Sequence, residues 1–500
     1  MPAWQSACVR ALLALDGVSV DVIAGDGATE FPRGLAGRLA GPAFARTRLP
    51  APALRRPNAP HACDVVLDLT GSARALGAPQ GRWFFRIGED GGGAAPFARE
   101  IARGDNTVDV ELVRQFGAHE ELIRRGRFSV ARLYASTLRW ALFEAARWPA
   151  SFVAALRDGR ELDTVPCAPR PLRAPAAGAD RIRFALRLAL RFGGYFVEKL
   201  FEISQWNVGL IAGEPRLLLE PGPLDVQWLP RPQAATFIAD PFVVERDGRR
   251  AILVEQYAHE RDRGVIEAIE VDRAGAVVRR ETIIDLPAHL SYPYPLELDG
   301  ALYLVPESST LNEVASYRCV EFPWRWERGP AIFPAFDGLD TTLFEHDGRW
   351  WAMCTRVSRG PTLALFAYFA DSPRGPWREH ALNPIVVDVS SARPAGQPFS
   401  VDGVLYRPGQ SSADSYGCGM AIARIDLLTP EHYRETIVRR IELGGAYAGG
   451  THTLSFAGAT IAIDGKHRYH DLRKPLWGLS RAAKRVARRG ERARAHPSPA

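Results

Sequence analysis

A short pattern that returns five times between Thr236 and Gly465 constrains the fold of this chain more than any other feature. Each copy is an apolar strand, a turn that ends in glycine and a second apolar or aromatic strand. The turns are Asp247-Gly248, Asp299-Gly300, Asp347-Gly348, Asp402-Gly403 and Ala457-Gly458. A period of about 50 residues is typical of propeller blades, and Asp-Gly between apolar runs favours a β-hairpin. The pattern therefore predicts a five-bladed β-propeller over residues 204–470.

The spacing of residues around these turns predicts which side chains meet. Seven residues before each turn stand Asp240, Tyr292, Asp340, Ala395 and Gly450, and eight residues after it stand Glu255, Glu307, Thr355, Gln410 and Gly465. Because hairpin strands are antiparallel and blades converge on a central channel, both sets should lie at one mouth of that channel. We expect Asp240, Glu307 and Asp340 to be the catalytic carboxylates there.

Six further residues near the blade mouths are candidate contacts for a substrate. They are Glu255, His289, Tyr292, Arg393, Arg407 and Gln410. We expect the Tyr292 ring to stack on a sugar and Arg393 or Arg407 to hold a phosphate.

The candidate residues also have structural interpretations. Asp240 could cap the start of a strand, and Asp340 could bond to its own backbone. A carboxylate at the end of a strand could simply be solvated. The Asp residues of the turns are structural, because the repeat itself explains them.

Residues 1–125 have the pattern of an α/β domain. Trp4 to Leu15 has the apolar spacing of a helix, and Val18 to Ala24 alternates like a strand. Cys63 to Leu69 reads as a buried strand that leads into a turn at Thr70-Gly71, as in a Rossmann-like fold. No Gly-x-Gly-x-x-Gly phosphate motif follows this strand.

Residues 126–203 are predicted to form a helical connection. Phe128 to Arg157 has the pattern of one long amphipathic helix, and Pro166 to Ala179 that of a Pro/Ala-rich linker. A second amphipathic helix should begin with Asp180 as its N-cap. Two short strands should follow, Trp206 to Leu210 and Arg216 to Leu219. One of them should complete the fifth blade, since an open blade leaves an unpaired edge.

The charge of the chain is concentrated at its end. The formal net charge is +6, but residues 471–500 carry nine Lys or Arg against Asp471 and Glu491. The rest of the chain is therefore nearly neutral. A basic tail on a neutral body predicts a solvated, disordered extension or an anchor for anionic lipid, and it argues against nucleic acid as a partner.

The six cysteines show neither a Cys-x-x-Cys pair nor the spacing of metal ligands, so we predict no metal and no cofactor. The start of the sequence lacks the pattern of a secretory signal, and no run of about 18 uncharged apolar residues occurs. These features predict a cytoplasmic protein, with a peripheral location at the inner face of the membrane as the alternative.

A glycine-rich stretch in the first domain resembles the core of formyltransferases of the methionyl-tRNA type. Gly104, Asp105 and Thr107 match a Gly-Asp and Thr segment of that family, and Gly93 and Pro96 match its Gly-x-x-Pro turn. The catalytic Asn and His of the family have no counterpart here. The resemblance therefore implies a degenerate Rossmann-like domain without formyl transfer, which needs such an acid/base group.

Several segments of the repeat region, in the same order, look like the N-terminal propeller domain of glucosamine inositolphosphorylceramide transferases and its bacterial relatives. These segments begin at Ile238, His289, Pro306, Asp340, Ser372 and Ser391. The resemblance covers about residues 200–470. The region is similar, more distantly, to the five-bladed propellers of family-43 glycoside hydrolases.

The glycosidase resemblance can be followed residue by residue. It implies a base at Asp240 on the first blade. The second blade has Tyr292 where that family has an Asp, and the third blade offers Asp340 and Thr355 without the acid Glu. Carboxylates for hydrolysis are present, but at other positions.

Together these features predict a protein that binds a glycan or sugar nucleotide. The resemblance implies that it acts in glycosyl transfer during glycolipid or surface-polysaccharide assembly. Two alternatives stay open at this point, an inverting glycosidase and a non-catalytic glycan-binding module.

Overall fold

The computed structural model describes residues 1–22, 39–47, 63–69, 78–89, 95–170, 178–232, 236–472 and 474. This part of the chain is mostly β, with few helices. It comprises an N-terminal domain, one long helix and a ring of sheets.

The N-terminal domain packs helices against a single sheet within the described residues. The strands are β1 (Val66–Asp68), β2 (Arg82–Ile87), β3 (Thr107–Phe116), β4 (His119–Ser129) and β5 (Val165–Cys167). The helices are α1 (Ala3–Leu13), α2 (Ala98–Arg103), α3 (Tyr134–Ala145) and α4 (Trp148–Arg157). Trp83, Phe128 and Leu142 are buried in the core that sheet and helices share. Most residues of this core come from the N-terminal domain itself.

The Rossmann-like, formyltransferase-type domain predicted for residues 1–125 is not confirmed. A Rossmann sheet is mostly parallel, whereas in the described sheet β1 and β2 are parallel and β2 to β5 are antiparallel. Gly104 has a local explanation, because it ends α2 with a left-handed φ of 97°. The predicted turns at Thr70-Gly71 and Gly93 lie outside the described residues.

The predicted helical connection also differs from the structure. Strand β4 runs through the boundary predicted at residue 125, and Phe128 belongs to this strand. The helical pattern that follows is divided into α3 and α4, and Pro149 lies in the first turn of α4, where the missing N–H costs nothing. Residues 18–20 of the strand predicted at Val18 have no regular structure.

A long helix, α5 (Ala179–Phe201), joins the two parts of the molecule. Its N-cap is Gly178 rather than the predicted Asp180, which lies in the first turn. An acidic side chain is favourable there too, because the N-terminal end of a helix is electropositive.

Five sheets, counted over the described residues, make up the ring. The first contains β8 (Thr236–Arg246), β9 (Arg249–Ala258), β10 (Arg263–Val271) and β11 (Val277–Ile284). The second contains β12 (Ser291–Leu298), β13 (Ala301–Glu307), β14 (Val314–Glu321) and β15 (Arg325–Phe333). The third contains β16 (Gly338–His346), β17 (Arg349–Arg356), β18 (Ala364–Ala370), β19 (Arg378–Glu379) and β20 (Val386–Val387).

The last two sheets continue this order. The fourth contains β21 (Arg393–Pro394), β22 (Phe399–Val401), β23 (Val404–Ser411), β24 (Gly419–Leu428) and β25 (Tyr433–Ile441). The fifth contains β26 (Leu454–Ala457), β27 (Thr460–His470), β6 (Glu202–Ala212) and β7 (Gln227–Trp228). Each predicted turn joins the first two strands of one sheet or, in the fourth, β22 and β23.

The ring closes because a strand from before the first sheet completes the last one. β6 pairs antiparallel with β27 from Ala212 opposite Thr460 to Glu202 opposite His470. This confirms that one of the two predicted short strands closes the fifth sheet. The other, Arg216 to Leu219, lies in a 3₁₀ helix (Pro215–Leu219) instead. β6 thus covers the edge of β27 that would otherwise be unpaired.

The inner strands of successive sheets lie next to one another. β8 contacts β12 and β26, and β16 contacts β12 and β21. The Leu454 N–H donates to the Ala395 carbonyl at 2.9 Å, which joins the fourth sheet to the fifth. The starts of the five inner strands therefore surround one axis, and we call this end of the ring the mouth.

Candidate functional site

Bulges in the first three inner strands present the predicted residues Asp240, Tyr292 and Asp340. All three have left-handed φ values, of 51°, 44° and 51°, and the strand register shifts at each. A bulge inserts one unpaired residue and re-aims its side chain. Left-handed φ costs a non-glycine residue about 1–3 kcal/mol, and such strain is concentrated at functional sites. A β-bulge thus recurs at Asp240, Tyr292 and Asp340, the positions that the turn alignment predicted to lie at a common mouth.

Asp240 lies in a buried network with His452 and Thr453, which precede β26, and with Asp464 of β27. Its carboxylate accepts hydrogen bonds from the Tyr292 N–H at 3.1 Å and the Thr453 hydroxyl at 2.6 Å. His452 Nε2 is 3.4 Å from Asp240 Oδ1, and His452 Nδ1 is 2.6 Å from Asp464 Oδ2. The imidazole is therefore held between two carboxylates.

This arrangement decides the charge on His452. Burial alone would lower the pKa of His452, but Asp464 and Asp240 outweigh it and raise that pKa. A protonated imidazole would then offset part of the negative charge at the mouth. Ligand atoms of Asp240, His452 and Asp464 all lie within 4.8 Å of one another, so this trio could also hold a divalent cation.

Glu255 is the carboxyl group most strongly affected by its surroundings. It is buried, and burial together with the charges of Asp240, Glu307 and Asp340 raises the pKa of Glu255 well above its usual range. Those four carboxyl groups therefore lie close enough to interact, as the turn alignment predicted. The raised pKa shifts Glu255 toward its protonated form, which can donate a proton.

His289 lies beside this group. Its Nε2 is 3.7 Å from Glu255 Oε1, and its Nδ1 accepts a hydrogen bond from the Gly264 N–H at 2.9 Å. The bond to Gly264 assigns the ring hydrogen to Nε2, which faces Glu255. The structure thus brings the predicted contact residues Glu255 and His289 together at the mouth.

Glu307 and Asp340 differ in how they are held. The Glu307 carboxylate accepts bonds from the Ser291 hydroxyl at 3.0 Å and the Ser309 N–H at 2.6 Å. Asp340 forms a buried, two-point ion pair with Arg393, at 2.5 and 3.0 Å. Burial raises the pKa of Asp340 to about 6, against the opposing effect of Arg393.

The Arg393 contact changes the interpretation of two predicted residues. Since Asp340 engages Arg393 at two points, neither side chain is free to act as we predicted, Asp340 in catalysis and Arg393 on a phosphate. Breaking such a buried pair leaves an uncompensated charge, at a cost of about 3–5 kcal/mol. The geometry favours a structural role for both.

Tyr292 does not offer the stacking surface that we predicted. Its side chain is fully buried, and its ring packs edge-on against Phe242 at 4.9 Å. Its hydroxyl accepts a hydrogen bond from the Gly396 N–H at 2.8 Å and lies 2.8 Å from the Thr342 hydroxyl. The ring therefore joins three inner strands beneath the mouth, and no face is left for a sugar.

Arg407 and Gln410 have partners within the fourth sheet. Arg407 binds the Glu435 carboxylate at 2.6 and 2.7 Å and the Ser391 carbonyl at 2.8 Å, so its guanidinium is engaged on several sides. Gln410 donates to the Ser412 hydroxyl at 3.3 Å, while its buried side-chain oxygen has no hydrogen-bond partner among the described residues. The structure explains Arg407 as a strand-to-strand ion pair.

Three residues at the rim were missed by the sequence analysis. Trp206 of β6 stacks on His452 at 4.1 Å between ring centres. Tyr416 lies 5.4 Å from the His452 ring and under the Arg393 guanidinium at 5.5 Å, and Lys466 donates to the Tyr416 carbonyl. Trp206 is buried, with Lys466 over its ring at 5.1 Å, whereas Tyr416 is 46% exposed. Tyr416 is therefore the aromatic side chain of the two on which a sugar ring can pack.

His452 and Asp464 were missed as well. The fifth turn lacks its Asp, so the alignment there rested on Gly450 and Gly465. His452 lies two residues after the first and Asp464 one residue before the second. A search for polar residues within two positions of each aligned site would have found both.

Part of the chain has curated relatives. Residues 230–445 match the family model described as Glucosamine inositolphosphorylceramide transferase 1, N-terminal. The curated protein of that name from Oryza sativa subsp. japonica is 30% identical over 210 residues, 41% of this chain and 28% of the relative. The one from Arabidopsis thaliana is also 30% identical, over 41% of this chain and 27% of the relative. The resemblance predicted for residues 200–470 is confirmed, although the chain spans less than a third of these relatives.

Solved structures that are similar include two glycoside hydrolases. Zg3597, a family 117 enzyme of Zobellia galactanivorans, has a TM-score of 0.36 and 12% identity over 54% of this chain and 91% of its own. A GH43_1 enzyme from Xanthomonas citri has a TM-score of 0.34 and 16% identity over 47% and 82%. At these scores the likeness carries no conclusion about activity.

Proposed function

We propose that the five sheets are the blades of a five-bladed β-propeller whose mouth binds a glycan or sugar nucleotide. In this proposal the protein acts in glycosyl transfer during glycolipid or surface-polysaccharide assembly. The observation that carries the proposal is that the matched region, residues 230–445, contains the mouth residues Asp240, Glu255 and Glu307. The names of the relatives state that they transfer glucosamine to inositolphosphorylceramide, so an amino sugar and an inositol-phosphate glycan are the first ligands to test.

The chemistry of the mouth suits a sugar. Both Asp240 oxygens accept hydrogen bonds, as an ionised carboxylate does, whereas the pKa of Glu255 is raised by burial. Two carboxyl groups in opposite protonation states can supply a base and an acid to one substrate. In glycosyl transfer, Asp240 would accept the proton of the acceptor hydroxyl as its oxygen bonds to the anomeric carbon. The bond from that carbon to the leaving-group oxygen would break, and Glu255 would donate a hydrogen bond to the departing oxygen.

The same pair supports a second candidate function. An inverting glycosidase needs one carboxyl group as acid and another as base, on opposite faces of the sugar. Glu255 and Asp240 could take these parts with water as the acceptor. A glycan-binding module without turnover is the third interpretation.

We also propose a cytoplasmic location. The six cysteines, all described, are free thiols, as is usual in a reducing compartment.

Binding measurements on matched variants test the proposal. UDP-N-acetylglucosamine, glucosaminyl-inositol phosphate and 4-nitrophenyl glycosides would be titrated into the wild-type protein by calorimetry. We expect saturable binding that Asp240→Asn weakens at least about tenfold, the effect of losing one charged hydrogen bond. Asp247→Asn, the same change in an exposed turn, is the control and should bind as the wild type does.

Product analysis separates the candidates. Transfer to an inositol glycan supports the leading function, and release of nitrophenol with inversion at the sugar supports the glycosidase. Binding without either product supports the third candidate, a non-catalytic glycan-binding module. No binding by the folded wild-type protein to any of these ligands would overturn the proposal.

A further inference from the structure

The connecting helix α5 exposes apolar side chains that a helix in a globular protein normally buries. Of its 23 residues, Phe184 and Leu188 are the buried ones. Seven large apolar side chains are between 46% and 71% exposed. They are Ile182, Leu186, Leu190, Phe192, Phe196, Val197 and Leu200.

These seven side chains form one continuous stripe. With about 100° between successive residues of a helix, Ile182, Leu186, Val197 and Leu200 lie within one narrow arc, and the other three extend it on both sides. The opposite face packs against the N-terminal domain, where Phe184 meets Tyr134 at 5.2 Å between ring centres. Arg191, on that same face, donates to the Val130 carbonyl at 3.2 Å. The apolar stripe therefore faces away from the protein.

Basic side chains border the stripe. Arg183 and Arg187 lie along one edge of it and Arg181 and Lys199 along the other, and all four are exposed. The acidic residues Asp180 and Glu198 lie on the opposite face of the helix. An apolar face with basic borders is the composition of a helix that lies in the interface of an anionic bilayer, where long basic side chains reach the phosphates.

The basic end of the chain starts at the same place. The Asp471 N–H donates to the Phe201 carbonyl at 2.8 Å, and Lys474 donates to the Glu202 carbonyl. The basic segment 471–500, with nine Lys or Arg, therefore begins at the C-terminal end of α5. Each basic residue near an anionic membrane surface adds to the attraction.

We propose that α5 is a membrane-docking helix, with its apolar stripe in the acyl boundary of an anionic lipid bilayer and its basic borders at the lipid phosphates. Within the described residues, no helix is long and apolar enough to cross a membrane. The bilayer is favoured over a second protein because the borders of the stripe and the adjoining chain end are both basic. This inference does not depend on the function proposed for the mouth.

Vesicle flotation of the full chain tests this inference. The vesicles are phosphatidylcholine with and without phosphatidylglycerol. We expect wild-type protein to float with the anionic vesicles, and the double variant Leu186→Glu, Leu190→Glu to bind at least about tenfold more weakly. The control, Val278→Glu with Val357→Glu, places the same charges at apolar sites that are 64% and 50% exposed elsewhere and should float as the wild type does.

Two further measurements keep the test decisive. If the glutamate pair lowers the melting temperature, Leu186→Ser with Leu190→Ser replaces it and should also lose binding. Deletion after Lys474 should weaken binding at low salt much more than at high salt, since salt screens the tail but not the stripe.

Three results would overturn the inference. The first is equal flotation of the stripe variant and the wild type. The second is loss of flotation on deletion of the tail alone, at every salt concentration. The third is a wild-type dimer that the stripe variant dissociates while neither protein binds vesicles, which would assign the stripe to contact between copies of the chain.

Discussion

At the scale of single residues, the carboxyl groups of the mouth differ from one another in their charged partners. Asp340 has Arg393 as a two-point partner, and Asp240 has His452. Among the described residues, Glu255 has no ion pair with Lys or Arg, and His289 Nε2 lies 3.7 Å from its carboxyl group. A buried carboxyl group that gains no cation stays protonated to higher pH. This difference makes Glu255 the group whose titration should be most visible in the stability of the protein.

The stability of the folded state should therefore depend on pH through Glu255. Because its pKa is raised on folding, the folded state binds more protons than the unfolded state at pH values above the usual glutamate pKa of about 4.3. The free energy of unfolding therefore falls as the pH rises from the glutamate pKa of the unfolded state to the raised pKa of Glu255 in the folded state. The Glu255→Gln variant does not lose stability in this way. The melting temperature of the variant minus that of the wild type should therefore increase from pH 5 to pH 8.

Melting curves of both proteins across this range provide the measurement. The exposed Glu345→Gln on β16 is the matched control, and its difference from the wild type should stay constant. A constant difference for Glu255→Gln as well would show that Glu255 does not titrate as its burial implies.

At the scale of elements, the ring depends on close contact between its inner strands. The closest approach joins the fourth and fifth sheets, where Gly396 pairs with Leu454 in a parallel bridge. A Cβ atom on Gly396 would lie 1.7 Å from the Leu454 carbonyl oxygen. Gly396 also donates to the Tyr292 hydroxyl at 2.8 Å, so a shift of its backbone would disturb a second contact between sheets.

Gly396→Ala should consequently destabilise the ring strongly. The substitution adds a clash with backbone to the strain of a φ of 125°, so we expect a loss of more than about 3 kcal/mol. Gly403→Ala is the control, since Gly403 has a φ of 77° and nothing within 4 Å of an added Cβ. The Gly403→Ala variant should lose only the cost of a left-handed φ for a residue with a Cβ atom, about 1–2 kcal/mol of stability. Equal melting temperatures of the two variants would contradict this account of the closure.

At the scale of the whole molecule, the N-terminal domain and the ring share a core. Leu363, Val387 and Val389 of the ring are buried among residues of the N-terminal domain. The Val389 N–H donates to the Arg127 carbonyl at 3.1 Å. A cavity of about 390 Å³ remains beside this contact, lined by Arg124, Phe152 and Val387 among others.

A ring fragment without the N-terminal domain should accordingly be less stable than the full chain. Residues 202–472 keep every strand of the five sheets, but the three shared side chains lose their cover, each worth about 1.5–3 kcal/mol when buried. We expect a lower melting temperature and self-association in size-exclusion chromatography. The same fragment with Leu363, Val387 and Val389 replaced by Ser should stay monomeric. A monomeric fragment with the same melting temperature as the full chain would show that the contact with the N-terminal domain does not stabilise the ring.

The repeat made the ring region predictable from the sequence. Other features of the molecule could not be predicted in this way. Asp-Gly turns at a fixed period fix the hairpins and the register of the first two strands in each sheet, so the meeting of Asp240, Glu255 and Glu307 followed from counting. Side-chain direction did not follow, because a bulge re-aims one residue, as Tyr292 shows. The pairing of Asp340 with Arg393 depends on contact between sheets, which spacing within a sheet does not contain.

The N-terminal domain lacks such a repeat. Its apolar residues predict burial but not strand order, and one parallel pair in an otherwise antiparallel sheet leaves the same pattern as a Rossmann unit. The helix α5 was recognised as amphipathic, yet only the structure shows that its apolar stripe faces outward.

The most direct test of the central claim is a crystal structure of the protein soaked with glucosaminyl-inositol phosphate. The account predicts a sugar ring at the mouth, with its hydroxyl groups within hydrogen-bond distance of Asp240, Glu255 or Glu307 and its face against Tyr416. A sugar bound instead in the cavity beside Arg124, with the mouth empty, would contradict it.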